Sequence, residues 1–550
     1  MYSRRLPTHP QGNRRKLGQW FTPPEVVDLL LSVAVGCGKP RGTFLDPSCG
    51  DGAFLDGLVR RGVSAKNIVG IELDPVAARD ARERIPGARI EVDNFITREQ
   101  DAQFEFVVGN PPYVRHERLS TAEKKQLRKG LSSTTPDRNL CDLVLGQGDL
   151  AAAFLLRALT WLRPGGKLAF VVSHSMFLNE YAKHLWRAVA PLAKVELVLD
   201  APQERWFSEA AVNTAIVVVE RTPSKGRSSV TVASLLRSTD QAVIALEGGS
   251  TLSEVAEVRA VQSSSPIQWG RGLRTSSTWR RFEKAAVSKM VALSEVAEIK
   301  RGVTSGANKL FYMSRAAADD LKLEQDVLWP LLPSAKEACS DPILVRDTDQ
   351  VAVVVPPGKE SLRKYPRVAQ YFERNVAESK RKTLQARPFW WSLTVHPARI
   401  FLSKAYDQRF AQRLSTSPIV ADQRAYAVFP KFGVSLEKLA TVLNSTLTAF
   451  ALESLGRAAM GEGALEWTVA DIKELPILDP RLVSLKATEA FRVLAERRVA
   501  SVQKEALQAD RAALDEALLG PSWKGPPLSD VHGALIASVE RRTNRGKRRE

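Results

Sequence analysis

The sequence predicts an α/β fold for its first half, with a mostly parallel sheet and helices on both faces, followed by a mixed α+β region. Apolar strand-like runs alternate with helical periodicity from residue 43 to about residue 220, which is typical of parallel strands with crossover helices. Four successive strands end in polar loops, and open α/β sheets bind ligands at the carboxyl ends of their strands. Ser, Thr, Arg and Gly become frequent after this region, so we place the domains at 1–235, 236–480 and 481–550.

The composition indicates a globular protein with a nucleic-acid partner. The 550 residues carry a net charge of +18, and 44% of them are hydrophobic. A basic balance of this size is the electrostatic footprint of a nucleic-acid-binding protein, although a solvated basic surface gives the same charge. No apolar run approaches the roughly 18 residues that span a bilayer, and no secretory signal is recognisable. The four cysteines lack the spacing of a disulfide framework or a zinc site, so we expect a reducing compartment and no metal.

A short segment precedes the first predicted helix, which runs from Pro24 to about Val35. Thr22 can serve as its N-cap, and a proline in the first turn suits a helix start. Phe21 and Thr22 are also placed to touch a small ligand at the helix N-terminus. An ordinary cap explains the same residues, so both interpretations stay open here.

The first strand leads into a loop rich in Gly, Asp and Ser that runs from Asp46 to Gly52, and a helix begins near Ala53. This is the first βα turn of a nucleotide-type fold, and its glycines let the backbone pass close to a ligand. Asp46 and Asp51 would repel a pyrophosphate, and the loop has no lysine of the phosphate-loop kind. It therefore favours a cationic ligand that bears an amino acid.

The next two strands also end in acidic residues. Glu72 ends the second strand about 20 residues after Gly52, where this architecture grips ribose hydroxyls, with Asp74 as the weaker candidate. Asp93 ends the third strand and is placed to accept a hydrogen bond from an adenine amino group, while Phe95 is placed to pack on the ring. The alternative is that these polar residues only cap the helices that follow them. The same arrangement would then have arisen by coincidence at four successive strands.

The fourth strand ends in Asn-Pro-Pro-Tyr at residues 110–113. Two prolines fix φ and stop the strand, which leaves a rigid loop tip. The Asn110 side-chain oxygen and the Pro111 carbonyl can both accept hydrogen bonds from an exocyclic NH2, and Tyr113 can stack on the ring that carries it. For the motif in isolation, a plain turn is an equal alternative.

In this order, the segments resemble the Type II DNA adenine-N6 methyltransferases with the gamma order of motifs, the TaqI-like group. The cofactor motif precedes the catalytic motif, and the target-binding region is C-terminal. The resemblance covers roughly the first 220 residues. The matching segments are Phe21-Thr22-Pro23, Asp46-Pro47-Ser48-Cys49-Gly50-Asp51-Gly52, Glu72-Leu73-Asp74-Pro75, Asp93-Asn94-Phe95 and Asn110-Pro111-Pro112-Tyr113.

The resemblance implies a Rossmann-like class I S-adenosylmethionine-dependent methyltransferase domain, followed by a DNA-recognition domain. It implies a cytoplasmic enzyme of bacterial type, associated with the nucleoid, that methylates N6 of a flipped adenine. Its partner would be duplex DNA with a short recognition sequence, alongside a possible separate restriction endonuclease. The implied catalytic residues are Asn110, Pro111, Pro112, Tyr113 and Phe207, the last as the family's second aromatic. The implied cofactor-binding residues are Phe21, Thr22, Pro23, Asp46, Pro47, Ser48, Cys49, Gly50, Gly52, Glu72, Leu73, Asp93, Asn94, Phe95 and Asn110.

Several alternatives stay open. The same amino chemistry serves cytosine N4, RNA adenine and protein glutamine amides, and a chain with an inactive catalytic fold would only bind DNA. The large basic second domain favours DNA over RNA or protein. Cytosine-C5 methylation needs a cysteine nucleophile, and none of the four cysteines follows a proline as that family's does. No nuclease constellation is recognisable, so we expect no intrinsic cleavage.

The second half shows looser resemblances to the target-recognition domains of the same enzymes, at residues 293–308, 443–446 and 461–463. A loop with Gly, Ser, Thr, Asn and Lys can approach and bond a phosphate backbone. Residues 380–391 interleave basic and aromatic side chains, which fits DNA contact, although the tryptophans fit a core equally well.

Three further segments lead to predictions. Residues 115–142 are predicted to form a mobile loop beside the catalytic tip. Residues 484–519 show a long helical pattern with mixed charge. Residues 541–549 are predicted to form a disordered basic tail that attracts phosphate nonspecifically.

Overall fold

The computed structural model describes residues 21–100, 103–114, 119–131, 148–207, 213–222, 229–262, 266–332, 342–358, 360–457 and 463–546. These residues form two compact units. The first extends to Arg274, and the second comprises Thr275–Arg457 and Ala464–Thr543. Within the described residues, no helix has the length and apolar character needed to cross a bilayer.

The first unit alternates strands and helices as the sequence predicts. Its strands are β1 (Phe44–Asp46), β2 (Ile68–Glu72), β3 (Arg89–Val92), β4 (Phe104–Gly109), β5 (Leu162–Ser173), β6 (Lys194–Asp200), β7 (Thr214–Glu220), β8 (Ser229–Leu235) and β9 (Ala256–Gln262). Its helices are α1 (Pro24–Ala34), α2 (Ala53–Arg60), α3 (Pro75–Arg84), α4 (Thr121–Leu131), α5 (Leu150–Thr160), α6 (Ser175–Leu178), α7 (Glu180–Val189), α8 (Thr239–Glu247), α9 (Leu252–Val255) and α10 (Pro266–Gly272).

One sheet runs through this unit in the order β3-β2-β1-β4-β5-β7-β6-β8-β9. Strand β7 is antiparallel to β5 and β6, and β9 is antiparallel to β8, whereas the other neighbouring strands are parallel. The predicted α/β class with a mostly parallel sheet is therefore confirmed. The order changes direction between β1 and β4, which is the switch point where such sheets bind ligands.

Two hydrophobic cores lie on the opposite faces of this sheet. Leu168, Phe170 and Val172 of β5 belong to the core that contains α5 and α7. The alternating residues Ala169 and Val171 belong to the core that contains α1 and α2. Because successive side chains of a strand point to opposite faces, a continuously apolar strand needs helices on both sides.

The sheet continues beyond the predicted domain limit at residue 235. Strand β8 pairs in parallel with β6, and β9 adds an antiparallel edge strand to β8. Trp269 of α10 packs against Trp186 of α7, with ring centroids 5.1 Å apart. The polar composition after about residue 221 therefore belongs to the edge of the same sheet, and the compact unit ends at Arg274.

The second unit is a mixed α+β structure. Its strands are β10 (Met290–Ala292), β11 (Ala297–Arg301), β12 (Tyr312–Ser314), β13 (Leu328–Leu332), β14 (Leu344–Val345), β15 (Gln350–Val353), β16 (Ala398–Ser403), β17 (Ala405–Tyr406), β18 (Arg413–Ala421), β19 (Ala425–Pro430), β20 (Leu465–Glu466) and β21 (Pro476–Leu478). Its helices are α11 (Ser277–Ala286), α12 (Leu293–Val296), α13 (Asn308–Phe311), α14 (Arg315–Asp320), α15 (Pro366–Arg374), α16 (Lys382–Gln385), α17 (Leu436–Leu443), α18 (Thr446–Leu455), α19 (Val469–Lys473), α20 (Leu485–Ala495), α21 (Val502–Glu505), α22 (Ala509–Leu519) and α23 (Leu528–Gly546). The main sheet has the order β11-β19-β16-β18-β13-β15-β12, with β14 paired to β18.

Two predictions for irregular or helical segments need correction. The expected mobile loop at 115–142 contains helix α4, while residues 115–118 and 132–147 lie outside the described residues. The expected long helix at 484–519 is divided into α20, α21 and α22.

The mixed charges of this segment pair with one another across the turns between α20, α21 and α22. Arg497 lies 2.8 Å from Glu505 and 2.6 Å from Asp510, and Arg511 lies 2.9 Å from the same Glu505. Residues 481–543 therefore fold as part of the second unit rather than as a separate helical segment.

The expected disordered tail is also incorrect as far as residue 546. Helix α23 continues to Gly546, and residues 547–550 lie outside the described part of the chain. Arg542 is buried, and its Nε donates to both carboxylate oxygens of Glu453 at 3.0 Å, while Nη2 donates to the Asp407 carbonyl. Glu453 is only 1% exposed. A residue that the sequence assigns to a solvated tail thus holds the last helix to the core.

Replacing Arg542 with methionine is expected to lower the free energy of unfolding of the second unit by about 3–5 kcal/mol, because it leaves the Glu453 carboxylate buried without its cation. Urea unfolding followed by tryptophan fluorescence measures the decrease. The neighbouring Arg541→Met is the matched control and should change stability by less than about 0.5 kcal/mol. The double variant Arg542→Met with Glu453→Leu should recover most of the stability. Equal effects of the two single arginine changes would contradict this role.

Candidate active site

The predicted acidic residues and the Asn-Pro-Pro-Tyr tip lie at one edge of the first unit, because parallel strands carry their carboxyl ends to the same side. Phe44 and Leu45 of β1 pair with Ile68 and Val69 of β2 on one side, and β1 pairs with β4 on the other. Asp46 and the 110–113 tip therefore flank the switch point of the sheet.

Asp46 forms the floor of this edge. It is 1% exposed, and its Oδ1 accepts a hydrogen bond from the Ser48 backbone N–H at 3.0 Å. Burial raises its pKa to about 8, with the Ser48 hydrogen bond opposing and the nearby Glu72 carboxyl adding to the rise. A buried carboxyl of this kind is stabilised in its charged form by a cation, which fits the cationic ligand that the loop composition favours.

Glu72 connects the glycine loop to the second strand. Its Oε2 accepts from the Gly50 N–H at 2.8 Å, and its Oε1 accepts from the Asp74 N–H at 2.9 Å. Burial raises the pKa of Glu72 despite these two bonds. Asp74, the weaker candidate, caps helix α3 by accepting from the Val76 N–H at 3.0 Å.

The third strand end departs from the prediction at Phe95. Asp93 is partly exposed, and its carboxylate lies 3.1 Å from Arg98 Nη1. Asn94 stabilises the turn, since its Oδ1 accepts from the Ile96 N–H at 3.1 Å. Phe95 is 1% exposed and packs on Phe154 and Trp161 with centroids 5.5 and 5.3 Å away. Its ring is therefore core and not the face of a ligand site.

The 110–113 tip is held by side-chain hydrogen bonds. Tyr113 Oη lies 2.6 Å from Asn110 Oδ1 and 3.0 Å from the Val171 carbonyl oxygen, so one hydroxyl proton has two acceptors. Burial and the charge of Asp149 raise the pKa of Tyr113 well above its usual value, so this hydroxyl stays protonated. Phe207, the predicted second aromatic, meets the Tyr113 ring edge-on with centroids 6.4 Å apart.

The segment before α1 reaches the same tip. The predicted N-cap role of Thr22 is incorrect, because Pro23 occupies the N-cap position and no side chain caps the helix. Thr22 Oγ1 instead accepts a hydrogen bond from Asn110 Nδ2 at 3.1 Å. Phe21 is 39% exposed, beside this contact in the chain.

The remaining predicted cofactor residues divide into buried and exposed ones. Pro47 and Cys49 are buried, and burial raises the pKa of the Cys49 thiol well above its usual value, which makes it a structural thiol. Gly52 has φ +87°, and a Cβ there would lie 2.6 Å from Ile85 Cδ1. Leu73 is 60% exposed, which is unusual for a leucine and provides an apolar lip next to Glu72.

Sequence reasoning missed Gly109 as part of this site. A Cβ on Gly109 would lie 2.6 Å from Asp46 Oδ1, so only glycine lets the carboxyl approach the fourth strand. A glycine at a strand end directly before the rigid tip is a recognisable signal of such close approach. Val171 and Asp149 contribute a carbonyl and a charge, for which the sequence carries no signal.

The motifs in the second unit have mixed outcomes. Asn444 and Ser445 are buried, and Ser445 caps helix α18, so the 443–446 match is structural. Residues 461–462 lie outside the described residues. Trp390 packs on Phe372 with centroids 5.5 Å apart, which supports the core interpretation of the tryptophans.

Two separate segments that the sequence analysis singled out contact each other in the second unit. Arg387 Nη2 donates to the Thr304 and Ser305 carbonyls at 2.6 and 2.7 Å. A Cβ on Gly306 would lie 2.9 Å from Thr383 Cβ, so the 302–308 loop lies directly on helix α16. We call this surface the clasp: residues 302–309 together with 380–387.

Comparison with known protein families matches most of the chain. Residues 83–203 match the family described as Eco57I restriction-modification methylase. Residues 268–514 match the family described as Type II methyltransferase M.Eco57I, C-terminal domain.

Individual proteins of similar sequence are also Type II methyltransferases. Type II methyltransferase M.BstVI from Geobacillus stearothermophilus is 23% identical over 566 aligned positions, which cover 89% of this chain and 95% of the relative. Type II methyltransferase M.HindII from Haemophilus influenzae is 23% identical over 325 positions, covering 57% of this chain and 58% of the relative, less than two thirds of its length. Among solved structures, the Type IIL restriction-modification enzyme MmeI in complex with DNA aligns with a TM-score of 0.54 and 14% identity, over 94% of this chain and 75% of that chain. At this level of identity, the similarity to MmeI concerns the fold alone.

Proposed function

This chain belongs to the Type II DNA methyltransferases of restriction-modification systems, and from that membership we propose that it methylates N6 of adenines flipped out of duplex DNA. The observation that carries the choice of an exocyclic amino group is the tip geometry. Asn110 Oδ1 and the Tyr113 ring lie together beside the buried Asp46, at the switch point of the sheet.

The fold and the family imply S-adenosylmethionine as the cofactor, and the residues present fit it. The buried carboxyl of Asp46 favours a cationic group, Glu72 ends the second strand where ribose hydroxyls are bound, and Leu73 offers an apolar lip for a flat ring. When bound, the cofactor supplies an electrophilic methyl group on a sulfonium.

The chain's own task is to make the amino group nucleophilic. The lone pair of adenine N6 is delocalised into the ring, so N6 alone reacts poorly. The Asn110 side-chain oxygen and the Pro111 carbonyl accept its two hydrogens and draw them out of the ring plane. Orientation and fixed dipoles then provide most of the rate enhancement.

The base must leave the duplex to reach this tip, at a cost of about a few kcal/mol. Stacking on Tyr113, whose ring Phe207 meets edge-on, offsets part of that cost, since base–aromatic stacking contributes about 1–3 kcal/mol per base. Cytosine N4 offers the same amino chemistry and is the second candidate target.

Long-read sequencing with modified-base detection tests the proposal directly. DNA from cells that express the wild type is compared with DNA from cells that express Asn110→Ala. We expect N6-methyladenine in one short motif with the wild type and none with the variant. N4-methylcytosine in a motif would replace adenine with cytosine as the target. Unmodified DNA from a wild type that binds the cofactor in calorimetry would overturn DNA as the substrate.

We further propose that the second unit recognises DNA and that its clasp contacts the phosphate backbone. Lys309 and Lys382 are exposed on the two segments that the clasp joins. The net charge of +18 provides the long-range attraction that such a surface needs. Arg387 is occupied by the Thr304 and Ser305 carbonyls, so it shapes the clasp while the lysines face solvent.

Replacing both Lys309 and Lys382 with alanine is expected to weaken binding to any duplex and to reduce its salt dependence. The slope of log K against log salt should fall by about 0.9 for each phosphate that the variant no longer neutralises. Fluorescence anisotropy at several salt concentrations measures this slope. Lys486→Ala, which removes an exposed charge on helix α20, is the control and should leave the slope nearly unchanged. An equal effect of the control would mean that only the net charge of the protein matters.

A further inference from the structure

The side-chain amide of Asn110 is held at both ends by residues from different parts of the chain. Its Nδ2 donates to Thr22 Oγ1 at 3.1 Å, and its Oδ1 accepts from Tyr113 Oη at 2.6 Å. A rotated amide would place its oxygen against Thr22 and its NH2 against the Tyr113 hydroxyl. Because each hydroxyl can donate or accept, the rotated amide is disfavoured only when the Thr22 proton is donated elsewhere and Thr22 can do nothing but accept; the Asn110 oxygen then lies on the Tyr113 side.

Thr22 differs from Tyr113 in what it connects. Tyr113 lies three residues from Asn110 on the same loop, whereas Thr22 lies 88 residues away in the segment that leads into α1. Thr22 is buried, and the exposed Phe21 precedes it. The Thr22–Asn110 bond therefore joins the segment with the predicted cofactor contacts to the residue that accepts the target amino group.

A threonine hydroxyl can take part in two hydrogen bonds at once. While it accepts from Asn110, its own proton can donate to an anionic group, such as the carboxylate of a bound amino-acid-bearing cofactor. Such a donation would hold the Thr22 oxygen in place for Asn110. Because the position of Asn110 Oδ1 decides whether the target amino group is bonded, an ordered Thr22 favours base capture.

We propose that Thr22 is a positioning residue that orients Asn110 and couples cofactor binding to capture of the target base. This inference rests on the proposed function. It assigns to Thr22 a role beyond cofactor affinity, acting through the Asn110 amide. The reverse coupling follows, since linkage between two ligands is reciprocal: a captured base should tighten cofactor binding by the same factor.

Two variants distinguish coupling between cofactor binding and base capture from a simple contact between Thr22 and the cofactor. Thr22→Val keeps the shape but removes the hydroxyl, and Thr22→Ser keeps the hydroxyl. The probe is a duplex carrying the motif identified by sequencing, with 2-aminopurine directly next to the target adenine, and its fluorescence rises when the target base leaves the stack. The non-reactive cofactor analogue sinefungin is added at saturating concentration, set for each variant by calorimetry.

In the wild type, sinefungin should increase the 2-aminopurine signal and tighten duplex binding. Thr22→Val should abolish this sinefungin-dependent increase and lower the single-turnover methylation rate at saturating cofactor and DNA by about 10- to 100-fold, as expected for a misplaced catalytic group. Thr22→Ser should restore both.

Two results would overturn the proposal. If Thr22→Val weakens only sinefungin affinity and keeps both the saturated rate and the fluorescence increase, Thr22 is a cofactor contact alone. If the wild type gives neither fluorescence increase nor methylation, the proposed function fails and this inference with it. A thermal midpoint of Thr22→Val close to that of the wild type confirms that the comparison concerns folded protein.

Discussion

Replacing Asn110 with alanine is expected to lower the single-turnover rate of methyl transfer by about 10²- to 10³-fold. The change removes one of two acceptors that polarise the target amino group, and removal of one preorganised electrostatic group costs about this much in other enzymes. Cofactor affinity is measured separately by isothermal titration calorimetry, because Asn110 is also among the implied cofactor-binding residues. Rapid-quench transfer of a labelled methyl group to duplex DNA measures the rate.

The variant should remain folded, which makes its kinetics interpretable. Without Asn110 Oδ1, the Tyr113 hydroxyl still has the Val171 carbonyl as an acceptor at 3.0 Å, so no buried donor is abandoned. Asn67→Ala, at an exposed position before β2, is the matched control and should keep the wild-type rate. A decrease of less than about tenfold in the Asn110 variant would mean that the side-chain amide is not the acceptor.

Replacing Asp46 with asparagine is expected to weaken S-adenosylmethionine binding by at least about 30-fold. Asp46 is buried at the switch point, and removal of one member of a buried charge pair costs about 2–5 kcal/mol of binding. Isothermal titration calorimetry measures the affinity. Asp56→Asn, a half-exposed carboxylate on helix α2, is the control and should bind normally.

The pH dependence should identify Asp46 as the group involved. Its pKa is raised to about 8 in the free protein, so it is mostly protonated at neutral pH and must lose its proton to meet a cation. Wild-type affinity should therefore rise by up to about tenfold per pH unit between pH 6 and pH 8 and level off above, with proton release visible as a buffer-dependent enthalpy. The Asp46→Asn affinity should be flat over this range. A pH-independent wild type would contradict the assignment.

Asp46 also affects the stability of the protein, and this effect changes with pH in the direction opposite to cofactor binding. Between pH 3.8 and about 8 the folded protein retains a proton that the unfolded chain has lost, so this group's contribution to stability falls as pH rises through that window. Asp46→Asn without cofactor should therefore have a higher thermal midpoint than the wild type at pH 8, with little difference near pH 4. A carboxyl that destabilises the empty protein and binds the ligand is the signature of a functional site.

Features of this structure that depend on neighbouring residues in the chain can be predicted from the sequence. Helix α3 runs from Pro75 to Arg84, and its start carries two local signals, a proline at the first position and Asp74 as the N-cap. The strand ends at Asp46, Glu72 and Asn110 were also predictable, since apolar runs that stop at polar residues need no distant partner to be recognised. Parallel pairing then brings these ends to one edge.

The domain limits and the C-terminal segment were less predictable because composition does not report pairing. Strand β9 has an alternating, polar pattern that suits a linker or an edge strand equally, and only its pairing with β8 decides between them. Arg542 lies in a basic run, and no local signal shows that it pairs with Glu453 in the core.

The fold class, the edge of the sheet that forms the candidate site, and the residue types at that edge all follow from the sequence, because each depends on periodicity and on the chemistry of single strand ends. Three features follow only from tertiary packing: Phe95 lies in the core, Asp46 requires glycine at position 109, and Thr22 bonds Asn110. An aromatic ring, a glycine or a hydroxyl has several chemically equivalent uses. Which one is realised depends on neighbours that are distant in the chain and adjacent only after folding.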